Sequence, residues 1–346
     1  MPKPEKEAIA TEDGYRELPS SDLMFRVAGT SDADWFRNSG RLSIAGIDRL
    51  LSLFGKSFTD FPRALDFGCG CGRMLLPLED VGKKIELYGV DIDADAIAWA
   101  QQHIPWVRSS VNQGLPPLDF PDEYFDLVFN HSVFTHIDER YQDAWLVELE
   151  RITKPGGWLV LSVSGEHVFA EFEKSFRIRD LAPYCTELCE NGFLYFADDG
   201  WVNGPFPDFY HTSFHEPWYI FEHWGSIFDI KAYVVRGDLD FQDLVLLRRR
   251  ETRVGSVAAP RRRAVELRQC QEHAAALSLE VQQGQERAAA LSLEVQQGQE
   301  RANALSQEVQ QWRTAAERSA GDLEKLFASR SWRVTAPLRN FVARFR

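Results

Sequence analysis

The segment Ala64-Leu65-Asp66-Phe67-Gly68-Cys69-Gly70-Cys71-Gly72-Arg73 most constrains what this chain can fold into. A short apolar strand, Arg63–Phe67, runs directly into three glycines at alternate positions. Glycine admits turns that a Cβ forbids, and it lets a ligand approach the main chain. A strand that opens through such a turn into a helix, here expected from about Arg73, is the first unit of an open α/β sheet. The following segments repeat the unit. Ile85–Val90 reads as a strand ended by Asp91-Ile92-Asp93, and Ala94–His103 as a helix. Phe125–Asn130 reads as a strand and Ile137–Ile152 as a helix stopped by Lys154-Pro155-Gly156-Gly157, before a strand at Trp158–Val163.

Strands alternating with helices predict an α/β fold: a Rossmann-like, mostly parallel sheet with helices on both faces. Ile227–Val235 and Asp243–Leu247 are expected as an antiparallel pair at the sheet edge. Residues 1–40 read as a polar lead-in and 41–250 as the globular domain. Ile47, Leu50, Leu51 and Phe54 share one helix face. Residues 165–225, dense in aromatics, Gly, Pro and His, read as an irregular cover over the ligand edge of the sheet, where acceptor specificity is expected.

Residues 251–272 read as a linker. A 14-residue repeat then begins, AAALSLEVQQGQER at 274–287, again at 288–301 and degenerate at 302–315. Its 3-4 spacing predicts a long helix or coiled coil over 273–328. Val281, Val295 and Val309 occupy a positions, and Leu277, Leu291, Leu305 and Trp312 d positions, but alanine fills every second a and glycine two of the d positions. Self-association, a glycosyltransferase partner and a plain spacer all remain open. In the last stretch, 329–346, Leu338, Phe341, Val342 and Phe345 fall on one face among five arginines and no acid. That is the pattern of a basic amphipathic helix on an anionic membrane surface, with docking onto the acidic body as the alternative.

The chain carries 39 basic against 52 acidic side chains. A net charge of −13 argues against nucleic acid, which needs a basic face. No run reaches the ~18 apolar residues of a membrane span. The polar start without a signal-peptide core and five cysteines outside any disulfide spacing predict a reduced, cytoplasmic protein. Cys185 and Cys189 lack the second Cys or His pair of a zinc site, and no metal is expected.

Asp91, ending the second strand 19 residues after Gly72, suits a carboxylate that accepts hydrogen bonds from ribose hydroxyls. Two ligands fit this placement. A dinucleotide would set its pyrophosphate at the helix N-terminus, where Asp66 repels it. S-adenosylmethionine presents an α-amino group and a sulfonium instead, and Asp66 tilts the choice towards it.

Four blocks together carry a resemblance: Asp66-Phe67-Gly68-Cys69-Gly70-Cys71-Gly72, Gly89-Val90-Asp91-Ile92-Asp93, Phe125-Asp126-Leu127-Val128 and Lys154-Pro155-Gly156-Gly157. In order and spacing, over roughly residues 40–250, they resemble class I S-adenosylmethionine-dependent methyltransferases. By that resemblance, Asp66, Gly68, Gly70 and Gly72 line the methionine end, Asp91 binds the ribose and Ile92 packs on adenine. Asn112 stands where the family often has Asp, and Asn130 ends the fourth strand beside the methyl group. The stretch SVFTHIDERYQDAWLVELERITKPGG resembles a bacterial branch associated with surface-polysaccharide gene sets. SRSWRVTAPLR resembles a C-terminal element of some O-antigen and capsule glycosyltransferases and methyltransferases. The resemblance implies O-methylation of a sugar in a surface glycan or its lipid-linked precursor. A small-molecule acceptor, or a non-catalytic scaffold acting through the coiled coil, are the alternatives.

Methyl transfer to a hydroxyl calls for a base of near-neutral pKa. Among His131, His136, His167, His211 and His215, His211 is favoured, then His131. His211 and His215, four apart, would share a face if their segment is helical. His136 is read as structural.

Overall fold

The computed structural model describes residues 17–176, 181–197, 209–251, 301, 303–329, 333–335 and 337. It divides into two compact units, Met1–Gln269 and Cys270–Arg346.

In the first unit, α1 (Ser21–Ala28) and α2 (Ala33–Ser52) precede β1 (Arg63–Phe67), α3 (Glu79–Gly82), β2 (Glu86–Asp91), α4 (Ala94–His103), β3 (Val107–Val111), β4 (Phe125–Phe129), α5 (Glu139–Ile152) and β5 (Thr153–Val163). Then come α6 (Glu166–Phe176), α7 (Ala182–Asn191), β6 (Phe193–Phe196), β7 (Thr212–His215), α8 (Pro217–His223), β8 (Phe228–Asp238) and β9 (Gln242–Arg249). Seven strands form one sheet in the order β3-β2-β1-β4-β5-β9-β8. β1 to β5 pair in parallel, while β9 is antiparallel to both β5 and β8. The Rossmann-like sheet with its antiparallel edge hairpin is the one expected from the strand–helix alternation.

Both faces are buried, as a parallel sheet requires. Along β4, Phe125 and Val128 join one core with Trp145 and Leu149 of α5, while Leu127 and Phe129 join the other with Ile47 and Leu51 of α2. Helix starts are fixed by side chains. Asp32 accepts from the amides of Asp34 and Trp35, Asp93 from those of Asp95 and Ala96, and Asp138 from that of Tyr141. Each satisfies donors that a helix leaves unpaired.

Three expectations are corrected. No helix starts at Arg73: residues 70–75 form turns, Leu76–Leu78 a 3₁₀ turn, and α3 begins only at Glu79. Pro77 would stand inside the expected helix, where it lacks an amide hydrogen and its ring clashes with the preceding turn. Lys154-Pro155-Gly156-Gly157 lies inside β5, whose register against β4 shifts between Phe125 and Leu127. The bulge absorbs Pro155 and a left-handed Gly156 at φ 73°. The described parts of residues 165–225 are regular: three helices and the antiparallel β6–β7 pair. A small core of Phe169, Leu188, Leu194, Phe196 and Phe214 forms within them. The stretch carrying Trp201 and Phe206 lies outside the described residues.

In the second unit, residues 303–328 are helical. Leu305, Val309, Trp312, Leu323 and Leu326 are all at least half exposed on it. The two full repeats and almost all of 329–346 lie outside the described residues. Among those described, no helix is long and apolar enough to cross a membrane, and no cluster of metal-ligating side chains occurs.

Candidate active site

A cavity of about 1730 Å³ opens at the C-terminal ends of the parallel strands. Its floor is where β1 lies between β2 and β4, the point at which the strand order reverses, and that is where ligands bind open α/β sheets. Such a volume exceeds the ~300–1,000 Å³ of an ordinary small-molecule pocket.

The wall nearest the sheet is the loop after β1. Gly68 and Gly70 adopt left-handed conformations at φ 80° and 53°. A Cβ on Gly68 would run into Val133, and one on Gly70 would lie 2.6 Å from Val27 on α1. The close packing of Val133 and Val27 against this loop therefore requires glycine at both positions. Gly72 is not on the cavity wall, and a Cβ there would strike Ile104.

Asp91 braces this loop. Its Oδ2 accepts from the Gly70 amide at 2.7 Å and its Oδ1 from the Asp93 amide at 2.8 Å. Burial raises its pKa, and the amides of Asp93 and Gly70 oppose the rise. Ile92 and Asn112 also line the cavity. The Asn112 amide group donates to the Gln113 carbonyl at 2.6 Å, and its main-chain amide to Asp91 at 2.9 Å.

Like Gly72, two further expected cofactor residues are absent from the cavity wall. Asn130 is fully buried and absent from the cavity wall. Its Oδ1 accepts from the Ser162 amide at 2.9 Å and ties the end of β4 to β5. Asp66 lies behind the glycine loop, 1% exposed, and neither carboxyl oxygen has a hydrogen-bond partner among the described residues. Burial pushes its pKa up to about 8, Arg73 opposing and Asp91 adding to the rise.

On the opposite side, His131 follows β4 and reaches Asp238 at the end of β8. Its Nδ1–H donates to Asp238 Oδ2, which leaves Nε2 as the basic nitrogen. Burial lowers the His131 pKa below 6.5, Arg73 lowers it further, and Asp238 opposes both. Burial alone would raise Asp238, but His131, Ser43 and Arg73 outweigh it and hold the carboxyl below its usual range. The pair is a neutral imidazole on a carboxylate. Arg73 is itself buried, and its Nη1 donates to Ser39 of α2 at 3.0 Å.

His211 does not share a helix face with His215, because His215 ends β7 and His211 immediately precedes that strand. His211 is absent from the cavity wall, its ring edge-on to Tyr195 at 5.6 Å. His215 is fully buried against Gln142, and burial pushes its pKa down to about 3. His136, read from sequence as structural, does line the cavity, stacked on Tyr210 at 4.1 Å. Its Nδ1–H donates to the His211 carbonyl at 2.9 Å, and its Nε2 lies 3.3 Å from Ser132 Oγ. Gln242 donates to the same Ser132 Oγ at 2.9 Å. Asp238, Arg73 and Gln242 escaped the sequence reading. Asp238 stands 107 residues from His131, and only the fold of the β8–β9 hairpin brings it back.

Residues 65–161 match the family described as a methyltransferase domain. Over those residues the chain is similar to a methyltransferase domain, and S-adenosylmethionine is the cofactor that this likeness implies. An uncharacterized methyltransferase of Schizosaccharomyces pombe is 31% identical over 107 residues, 28% of this chain and 38% of that protein. A ubiquinone biosynthesis O-methyltransferase of a Bradyrhizobium species is 28% identical over 168 residues, 42% of this chain and 64% of the relative. The chain thus spans less than two thirds of the length of these relatives. A solved structure described as an S-adenosylmethionine-dependent methyltransferase from Methanosarcina mazei aligns at 20% identity and TM-score 0.41, over 55% of this chain and 93% of that one.

The domain's residues fit the cofactor. An unpartnered buried carboxyl at Asp66 suits a cationic amino-acid end. Gly68 and Gly70 present main chain without side chains on the cavity wall, and Asp91 suits a ribose diol.

Proposed function

We propose that the protein is an S-adenosylmethionine-dependent O-methyltransferase, and that its acceptor is a sugar of a surface glycan or of the lipid-linked precursor. The carrying observation is the joint placement, around one cavity, of the Gly68–Gly70 cradle, Asp91 and the His131–Asp238 pair. Bound S-adenosylmethionine supplies an electrophilic methyl group on a sulfonium. Gly68, Gly70, Asp91, Ile92 and Asn112 hold it, and Asp66 offsets its positive charge from behind the loop. His131 Nε2 takes the proton of the acceptor hydroxyl, and Asp238 keeps the imidazole in the required tautomer. The walls align the acceptor oxygen, which supplies several kcal/mol of the barrier. A phenolic small-molecule acceptor is the second reading, favoured by the likeness to the ubiquinone biosynthesis enzyme. Calorimetric titration followed by methyl-donor assays on extracted glycans and on catechols tests both. No binding of S-adenosylmethionine would sink the reading and favour a scaffold.

The Asp66 carboxyl adds a pH signature. Burial pushes its pKa up to about 8, so it is largely protonated at neutral pH, and a cationic ligand lowers that value. Binding at pH 7 therefore releases a proton, and affinity rises with pH until it levels above pH 8. Calorimetry in buffers of different ionisation heat reads the proton directly, and Asp66→Asn abolishes it.

The second unit serves assembly and placement. Glu308 and Arg313 are five apart, at g and e of the heptad, where two parallel copies pair them across the seam. Residues 329–346 hold the enzyme at the cytoplasmic face of an anionic membrane. Sedimentation equilibrium is expected to give a dimer for the full chain and a monomer for Trp312→Glu. Vesicles with anionic lipid are expected to pellet the parent chain but not one with its five tail arginines changed to Gln. An unaltered pellet and mass would remove both roles.

A further inference from the structure

Among the described residues of the first unit, eleven large apolar side chains are exposed. Six of them, Phe25, Trp35, Leu42, Leu53, Ile92 and Phe241, line the one cavity that holds the site. Leu42 and Leu53 are 60% and 74% exposed. Solvent-facing apolar groups scattered singly need no explanation, but a cluster at the mouth of a functional cavity does.

Helix α2 organises the cluster. Trp35, Ser39, Leu42, Gly46, Leu50 and Leu53 recur every three to four residues and form one stripe of the cavity wall. At ~1.5 Å per residue the stripe is roughly 27 Å long. The opposite wall is the β8–β9 hairpin, with Val234, Phe241 and Leu244. At Gly46 the two walls come so close that a Cβ would lie 3.2 Å from the Gly237 carbonyl. The channel is graded. Ser39, Arg73, His131 and Asp238 make its buried end polar, and Leu42 and Leu53 form an apolar strip at its exposed rim, flanked by Arg49, Arg236 and Asp240. A glycan alone would leave the outer end wet against leucine. The volume beyond an ordinary pocket has room for a second ligand beside the cofactor.

We propose that the acceptor is amphipathic, with a hydroxyl-bearing head at His131 and an apolar chain laid along α2 to the exposed rim. This rests on the methyltransferase reading above and narrows it to acceptors that carry a hydrocarbon or isoprenoid tail. A lipid-linked sugar and a prenylated phenol share that chemistry.

The test uses the full chain saturated with S-adenosylhomocysteine, so that no turnover occurs. It is titrated with n-alkyl glucosides and with 4-n-alkyl catechols of two to eight carbons, each below its micellar concentration. Affinity is expected to rise about two- to fourfold per methylene, the range for partial to full burial of each. The head that binds more tightly at equal chain length identifies the sugar or the phenolic source. Leu42→Glu and Leu53→Glu, at exposed positions that leave the core intact, are expected to flatten the slope. A dissociation constant independent of chain length, with S-adenosylhomocysteine still bound, overturns the proposal and leaves the methyltransferase reading standing. Failure of S-adenosylhomocysteine itself to bind overturns that reading instead. A rim whose glutamate variants lose vesicle binding, while acceptors show no chain-length dependence, is a membrane contact, and the proposal falls.

Discussion

Asp91→Asn is expected to weaken S-adenosylmethionine binding about 100-fold, although it exchanges one oxygen for one nitrogen. Both Asp91 oxygens already face main-chain donors, the amides of Gly70 and Asp93. A ribose diol adds two more. Only a carboxylate, which accepts at both oxygens, satisfies such a set. An asparagine turns its NH₂ towards one donor whichever way it flips. One hydrogen bond to a charged group is worth roughly 1.5–3 kcal/mol, so the loss of one or two accounts for the factor. The loop would suffer as well, since the Gly70 amide loses its anchor on one of the two flips. Asp91→Ala should therefore do little further harm. Calorimetric titration of both variants checks this, with thermal melting as the control for folding. A dissociation constant within threefold of the parent would remove Asp91 from the ribose.

Most of the sheet could be read from the chain because its strands are buried on both faces and are therefore short, apolar and bounded by turn residues. Ala94–His103 coincided with α4 residue for residue, since Asp93 marks its N-cap. The misread elements lie where local signals conflicted. Arg73–Leu76 carries helix formers, but Pro77 decides the outcome. Lys154-Pro155-Gly156-Gly157 has the composition of a turn, yet the sheet continues through it because a bulge tolerates both residues. In the site, Gly68, Gly70, Asp91 and Ile92 line the cavity at the β1 and β2 ends, where the strand–loop spacing put them, whereas Asp66 and Gly72 do not. Asn130 was assigned to the cofactor because it ends β4, but a side chain at that position can also turn sideways to the neighbouring strand, and here it caps the Ser162 amide. Choosing among the histidines required tertiary structure. His211 and His131 sit in equally aromatic, polar surroundings along the chain, and only folding hands His131 a buried carboxylate.

His131→Ala is expected to lower kcat by roughly 10²–10⁴ with little change in S-adenosylmethionine affinity, the loss that removal of a positioned base brings. The pH profile carries the stronger claim. The base must be unprotonated, and burial together with Arg73 sets the His131 pKa below 6.5. The rate should therefore be flat near neutrality and fall as pH drops below that value. Asp238→Asn separates tautomer from charge. The amide no longer stabilises an imidazolium, so the acid limb moves to still lower pH. An amide oriented to donate would also capture Nδ1 and leave Nε2 protonated, so the plateau itself drops. A purely structural Asp238 would change stability and leave the limb where it was. His136→Ala is the discriminating control. Its Nε2 faces Ser132 Oγ at 3.3 Å, and it lines the same cavity. If His136→Ala removes the acid limb while His131→Ala keeps it, the base is His136, and Asp238 with Arg73 serves to shape the acceptor end of the channel.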